Sequence, residues 1–261
     1  MCSGRSSPRE SSGHGAREPD EGGSTTDRLL PAGWRPDRLI GNGGAMADLA
    51  VDERLFLLSR SACGRDRSLT GINTPLAAAT LVVLEATGAI EVVEGRVVVP
   101  GAEPPRRHLR IVRDVVADSR RTRSLPYWLG RLPRAVRLQE NVGSSLAERL
   151  VVGDRRRSRL GVPIREFPPA DLGLARGVQR DVHEVLAGAD TEPDPMGRLL
   201  AGLVGSAGLI ASVVEPVDRR LARRRAGQFL GESAIGAAAA RCVTIEWNCP
   251  RARLAGLAQL R

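Results

Sequence analysis

Residues Ile72 to Val99 read INTPLAAATLVVLEATGAIEVVEGRVVV, and their reading decides the fold. The first part is apolar on every side, which a helix tolerates only when it is buried all round. Gly88 follows the last apolar turn and predicts a helix stop, because glycine adopts the left-handed conformation that ends a helix at little cost. Beyond it, Ile90 to Val93 and Arg96 to Val99 flank Glu94-Gly95, which predicts a tight β-hairpin. A buried helix feeding a small hairpin is therefore expected at the centre of the domain.

Upstream, Leu49, Leu55, Phe56 and Leu58 predict a first, partly buried helix, separated from the second by a polar loop from Gly64 to Gly71. Downstream, Pro104-Pro105 opens a helix whose apolar face holds His108, Ile111, Val112, Val115 and Val116. A short helix around Tyr127 and Trp128 comes next. Pro133 is expected in the first turn of another helix running to about Val151, where its missing N–H is harmless. The stretch Arg155 to Phe167 (RRRSRLGVPIREF) reads as a second hairpin around Gly161. Helices are expected over about 169–186, 195–214 (broken near Gly205), 217–230 and 233–245. Leu199 to Val214 is shorter than the roughly 18 to 20 residues needed to span hydrocarbon, so it reads as buried helix.

Residues 1–45 are rich in Ser, Gly, Pro, Arg and acidic residues, too poor in apolar anchors to offset the entropy of ordering. A disordered tail is expected there, a helical domain over 46–250, and a short tail over 251–261. The abrupt change at Met46 marks it as a candidate start of translation. MCSGRSSPRESSGHG lacks the apolar core of a secretory signal.

All 39 basic residues are arginine and the net charge is +9. Such usage, with abundant Ala, Gly and Val, is typical of GC-rich, bacterial coding. Physically, the guanidinium fork binds phosphate in bidentate fashion, so the surplus favours anionic partners: phospholipid headgroups, nucleic acid or acidic proteins. The four cysteines, at 2, 63, 242 and 249, form no C-x-x-C pair and read as reduced thiols.

The order of helix, hairpin, helices, basic hairpin and closing helices resembles the Golgi phosphoprotein 3-like family. LVVLEATGAIEV (81–92) resembles its helix-to-hairpin segment, and NVGSSLAERLV (141–151) its central helix. EPDPMGRLLAGLVGSAGLIASVV and DRRLARRRAGQFL resemble its C-terminal helical layer. The resemblance implies a mainly α domain with small β-hairpins. It also implies a non-enzymatic peripheral membrane adaptor, cytoplasmic in location, that recognises phosphatidylinositol 4-phosphate and binds protein tails. The family's lipid cup uses a Trp before the second helix, an Arg within it, and an Arg-x-x-Arg pair on the central helix. Here Ser68, Ala77, Glu140 and Gly143 fall at those positions. Charge-assisted hydrogen bonds contribute about 1.5 to 3 kcal/mol each, so that cup loses most of its hold on a headgroup.

A relocated anionic-lipid site is expected instead from Arg134 and Arg137, in Arg-x-x-Arg spacing after Pro133, with Arg65 and Arg67 approaching from the polar loop. The run Arg155, Arg156, Arg157 and Arg159 is a second candidate, either as a membrane contact or as a self-association element making a homo-oligomer. Two further readings stand beside the lipid reading. One is a protein-binding scaffold without lipid recognition. The other is a nucleic-acid-associated regulator built on a winged helix, against which the apolar second helix argues.

Enzyme signals are scarce. GNGG (41–44) lacks the third glycine of a dinucleotide fingerprint and follows no strand. His14, His108 and His183 are isolated, and the last two read as surface or half-buried helix residues. No pair of His or Cys has metal-ligand spacing, no Ser or Cys has an evident activating partner, and no cofactor is expected. Trp128 and Trp247 read as core anchors.

Overall fold

The computed structural model describes residues 48–69, 71–159, 162–188 and 193–248. The expected tails at 1–45 and 251–261, Met46, the 41–44 glycines and the Trp247 side chain lie outside the described residues. Among the described residues, ten helices and two small antiparallel sheets make a mainly α domain, as the sequence predicts.

Helix α1 (Val51–Ser59) leads into α2 (Asn73–Ala86), whose residues from Thr74 to Leu84 are all buried. Six helices, α1 among them, surround α2, which explains why its sequence has no polar face. Gly88, at φ +68°, ends it, and the N–H groups of Ala89 and Ile90 return to the Leu84 carbonyl. Strands β1 (Glu91–Val93) and β2 (Arg96–Val98) pair around Glu94-Gly95, both at positive φ, as a two-residue hairpin turn requires. A third strand, β3 (Arg123–Ser124), adds to β2 and is too short for sequence periodicity to reveal.

Helices α3 (Arg107–Ala117), α4 (Leu125–Ala135) and α5 (Leu138–Glu148) follow. The expected placement of Pro133 needs correction. It lies inside the last turn of α4, not the first turn of a longer helix, and α4 stops two residues later. The restriction that proline puts on itself and its neighbour is tolerated there because few helical hydrogen bonds remain to be made. Strands β4 (Arg155–Arg159) and β5 (Val162–Glu166) form the second hairpin.

The C-terminal layer comprises α6 (Leu172–Ala187), α7 (Pro195–Ser206), α8 (Ile210–Val213), α9 (Arg219–Gly231) and α10 (Ala234–Asn248). The break expected near Gly205 falls at Ala207 to Leu209. Small residues bring α7 and α9 together: a Cβ on Gly205 would stand 2.6 Å from Ala226 Cβ, and one on Gly202 3.0 Å from the Leu230 nitrogen. A single apolar core runs from Leu49 to Ala239 and includes Trp128, an expected anchor.

Candidate functional site

The positions that the resemblance assigns to a lipid cup, Ser68, Ala77, Glu140 and Gly143, lie about the seam where α1 ends, α2 begins and α5 begins. Arg60, at the end of α1, is 8% exposed, and its guanidinium lies 4.1 Å from the Phe56 ring centroid. Its Nη2 donates to Gln139 Oε1 at 2.7 Å, and Gln139 Nε2 donates to Asn73 Oδ1 at 2.8 Å, tying α1, α5 and α2 together. Its Nε is buried without a hydrogen-bond partner among the described residues. Burial lowers the Arg60 pKa, an effect partly offset by the Asp66 charge.

Phe56 meets Phe167 edge-on, with ring centroids 5.8 Å apart, and Arg165 lies over Phe167 at 5.2 Å. Gly143 sits beneath that ring: a Cβ there would come within 2.8 Å of three Phe167 carbons. Ala77 is fully buried in α2. The residues at two of the four family positions therefore face the core or a ring. Ser68 Oγ donates to Asp66 Oδ1 at 2.7 Å, and Glu140 stands 3.8 Å from Arg137 Nη1. Aromatic packing and a wired guanidinium fill the seam.

The four arginines expected to act together are not gathered at one site. Arg65 pairs with Glu166 at 3.4 Å across the base of the second hairpin, and Arg67 Nη2 donates to the Leu58 carbonyl at 3.1 Å. Arg134 lies in the last turn of α4 and lines an open groove with Tyr127, Gly130, Arg131 and Ala135. Arg137 precedes α5 in a left-handed conformation (φ +45°) and turns toward Glu140. Arg134 and Arg137 thus do not share the first turn of one helix, and the anion-favouring helix start expected for the pair is absent. The end of α4 carries the opposite partial charge.

The second hairpin is as basic as expected. Its register sets Arg155 opposite Glu166, Arg157 opposite Ile164 and Arg156 opposite Arg165. Successive side chains alternate between the sheet's faces. Glu166 is 6% exposed and pairs with both Arg65 and Arg157, at 3.4 and 3.3 Å. On the other face Arg165 holds Asp154 through two nitrogens. Those hydrogen bonds hold the Asp154 carboxyl below its ordinary range and raise the Arg165 pKa. Like charges directly opposite destabilise a strand pair. Arg156 and Arg165 are such a pair, and Arg156 is exposed. The Arg159 side chain lies outside the described residues.

Sequence reasoning missed a polar cluster inside the domain. Asp52 and Glu53, in the first turn of α1, are both completely buried. His108 is also buried, which corrects its reading as a surface or half-buried residue, and its Nε2 donates to Asp52 Oδ2 at 2.9 Å. Thr80 reaches the same oxygen at 3.3 Å. Arg149 donates to both Glu53 oxygens at 2.8 and 2.9 Å, joined by Arg106. The sequence carries no distinct signal for it, since two acids in the first turn of a helix ordinarily face water. Solvent reaches neither the Asp52 nor the His108 side chain, so the pair joins α1 to α3 and presents no base to a substrate.

No curated protein matches the chain. The sequence model of one family, described as Golgi phosphoprotein 3 (GPP34), matches residues 49–245. That span runs from the first core leucine before α1 to the last helix, taking in both hairpins and the buried polar cluster. With most of the chain matched and the expected order of elements in place, this protein belongs to the Golgi phosphoprotein 3 (GPP34) family.

Proposed function

We propose that the domain is a non-enzymatic adaptor that attaches peripherally to an anionic membrane surface, drawn by arginine charge rather than by a deep headgroup pocket. The observation that carries this reading is the second hairpin, where Arg156 stands opposite Arg165 with Asp154 as the nearest acid bonded to either. Such a pairing costs stability in the free protein and gains when an anion neutralises it. Family membership and the net charge of +9 support the same reading. No helix among the described residues is long and apolar enough to cross a membrane, which suits attachment from one side.

In this reading Arg155, Arg156, Arg157 and Arg159 make the principal contact, each contributing about 1 kcal/mol near an acidic surface. Arg65, Arg67, Arg134 and Arg137 add to the attraction. Phosphatidylinositol 4-phosphate is the preferred headgroup by family resemblance, although buried Ala77 and Gly143 leave its recognition to charge. Nucleic acid fits less well, because α2, the helix a winged-helix reading would place in a groove, is enclosed by other helices.

A protein-binding scaffold is the second reading, favoured by one observation. Among the described residues, strands β4 and β5 pair only with each other and no strand covers either outer edge, and Ile164 is 40% exposed. Open edges invite pairing with a second copy, although arginines along β4 discourage it. Flotation with neutral, anionic and phosphoinositide-containing vesicles, at low and high ionic strength with duplex DNA as competitor, tests the proposal. Binding to acidic vesicles that weakens with salt is expected. Failure to float with acidic vesicles at low ionic strength overturns it.

A further inference from the structure

Between Asp118 and Glu140 the chain holds six arginines and no carboxylate. The fold turns the middle of this segment into a two-faced helix. The inner face of α4 buries Leu125, Trp128, Leu129 and Leu132. The outer face exposes Tyr127, Gly130, Arg131 and Arg134, spaced so that one helical stripe collects them.

Tyr127 is the centre of the stripe. It is 38% exposed, with the Arg123 guanidinium 5.0 Å and the Arg131 guanidinium 6.0 Å from its ring centroid. Its own ring is braced edge-on by buried Trp128 at 5.2 Å. Tyr127, Gly130, Arg131, Arg134 and Ala135 line an open groove of about 460 Å³. At Gly130 a side chain would meet nothing within 4 Å, so the floor lies open to an incoming group. Among the described residues, none of Arg123, Arg131 and Arg134 forms an ion pair with a carboxylate.

We infer that this face of α4 is a second membrane-seating surface, distinct from the hairpin, in which Tyr127 enters the headgroup layer while Arg123, Arg131 and Arg134 hold lipid phosphates around it. The inference rests on the anionic-membrane reading and adds where, on the helical body, the bilayer is met. A solvated helix face ordinarily mixes both signs of charge; this one has a single sign around an aromatic centre. Tyrosine suits such a centre because its ring tolerates the interface while its hydroxyl stays wet. Cations held over its ring remain free to turn outward to phosphate, since the ring satisfies no hydrogen bond. A duplex would use the arginines but has no place for an exposed ring among its phosphates, which favours the bilayer.

Flotation of the full chain with phosphatidylcholine vesicles containing phosphatidylserine tests this, comparing three proteins: the unaltered chain, Arg131→Ser with Arg134→Ser, and Arg155→Ser with Arg156→Ser. Thermal unfolding monitors that each variant folds. Loss of two surface charges at α4 is expected to weaken binding about thirtyfold. In a Tyr127→Trp chain, brominated phosphatidylcholine in the same vesicles should quench the added emission. If the unaltered chain binds, the α4 variant binds equally well and no quenching appears, the α4 inference falls while the hairpin reading survives through the loss in its own variant. If the unaltered chain ignores acidic vesicles, both fall. If duplex DNA binds and protects the Tyr127→Trp emission while vesicles do not, the face serves nucleic acid and the inference is likewise overturned.

Discussion

Two regions of this domain are built from the same two chemical groups and reach opposite outcomes. Around the start of α1, Glu53 receives Arg106 and Arg149 while Asp52 receives His108 and Thr80, and both acids are fully buried. On the second hairpin, guanidinium groups outnumber acids, and Arg156 faces Arg165. In the buried cluster both carboxylates are paired, because an unpaired charge inside would cost several kcal/mol, and His108 Nδ1 is left without a hydrogen-bond partner among the described residues. The hairpin tolerates its surplus because water screens it. Neutralised charge joins elements; unneutralised charge stays at the surface.

The contrast predicts graded consequences. Glu53→Ala strips the carboxylate from two partly buried arginines and should lower the stability of the domain by about 3 to 5 kcal/mol in urea unfolding. A loss no larger than that of a surface mutation would mean the cluster is not the joint described. His108→Ala leaves Asp52 with Thr80 and the Glu53 N–H, and about 2 to 3 kcal/mol should be lost by the same measure. Gly143→Ala brings a methyl against the Phe167 ring, and overpacking of this kind costs about 1 to 3 kcal/mol.

The smallest effect on stability belongs to the hairpin. Asp154→Asn should change stability by less than about 1 kcal/mol, because the pair is surface-exposed, yet bind acidic vesicles more tightly. The folded pKa of Asp154 lies below its unfolded value of about 3.9. Its contribution is therefore present above that value and fades as pH falls through the depressed one. Carboxyl NMR titration should place the Asp154 midpoint below that of a free aspartate. A midpoint at or above it would show that Arg165 does not hold the carboxylate in solution.

Much of the architecture was legible because it is written in local signals. The apolar run before Gly88 could only be an enclosed helix, and Glu94-Gly95 named its own turn. The second hairpin and the closing helices also fell where pattern placed them. Illegible features depended on distant partners. Asp52 and Glu53 resemble ordinary acids of a first helical turn, which usually face water. Their burial is decided by His108, Arg106 and Arg149, far along the chain. His108 could not be distinguished from a surface histidine without knowing that Asp52 stood opposite. Pro133 misled for a local reason: proline favours helix starts, but α4 ends just after it and α5 begins afresh at Leu138. The arginine clusters were visible as composition, while their separation into Arg65 with Glu166, Arg137 with Glu140 and Arg134 in the α4 groove was not.

The root of the second hairpin is held from three sides. The Gly153 and Ala170 N–H groups donate to the Pro168 and Val151 carbonyls, the Phe167 N–H donates to the Gly64 carbonyl, and the Phe167 ring covers Gly143. Gly64 is at φ +86°, where a Cβ would strike the Phe167 and Pro168 backbone at 2.5 to 2.7 Å. Because the anchorage is complete before the strands leave the body, residues added or removed at the far end alter only loop closure, whose cost grows slowly with length. The arm therefore behaves as an exchangeable fitting on a fixed socket: its reach and lettering are free to diverge among relatives while the helices beneath stay as they are.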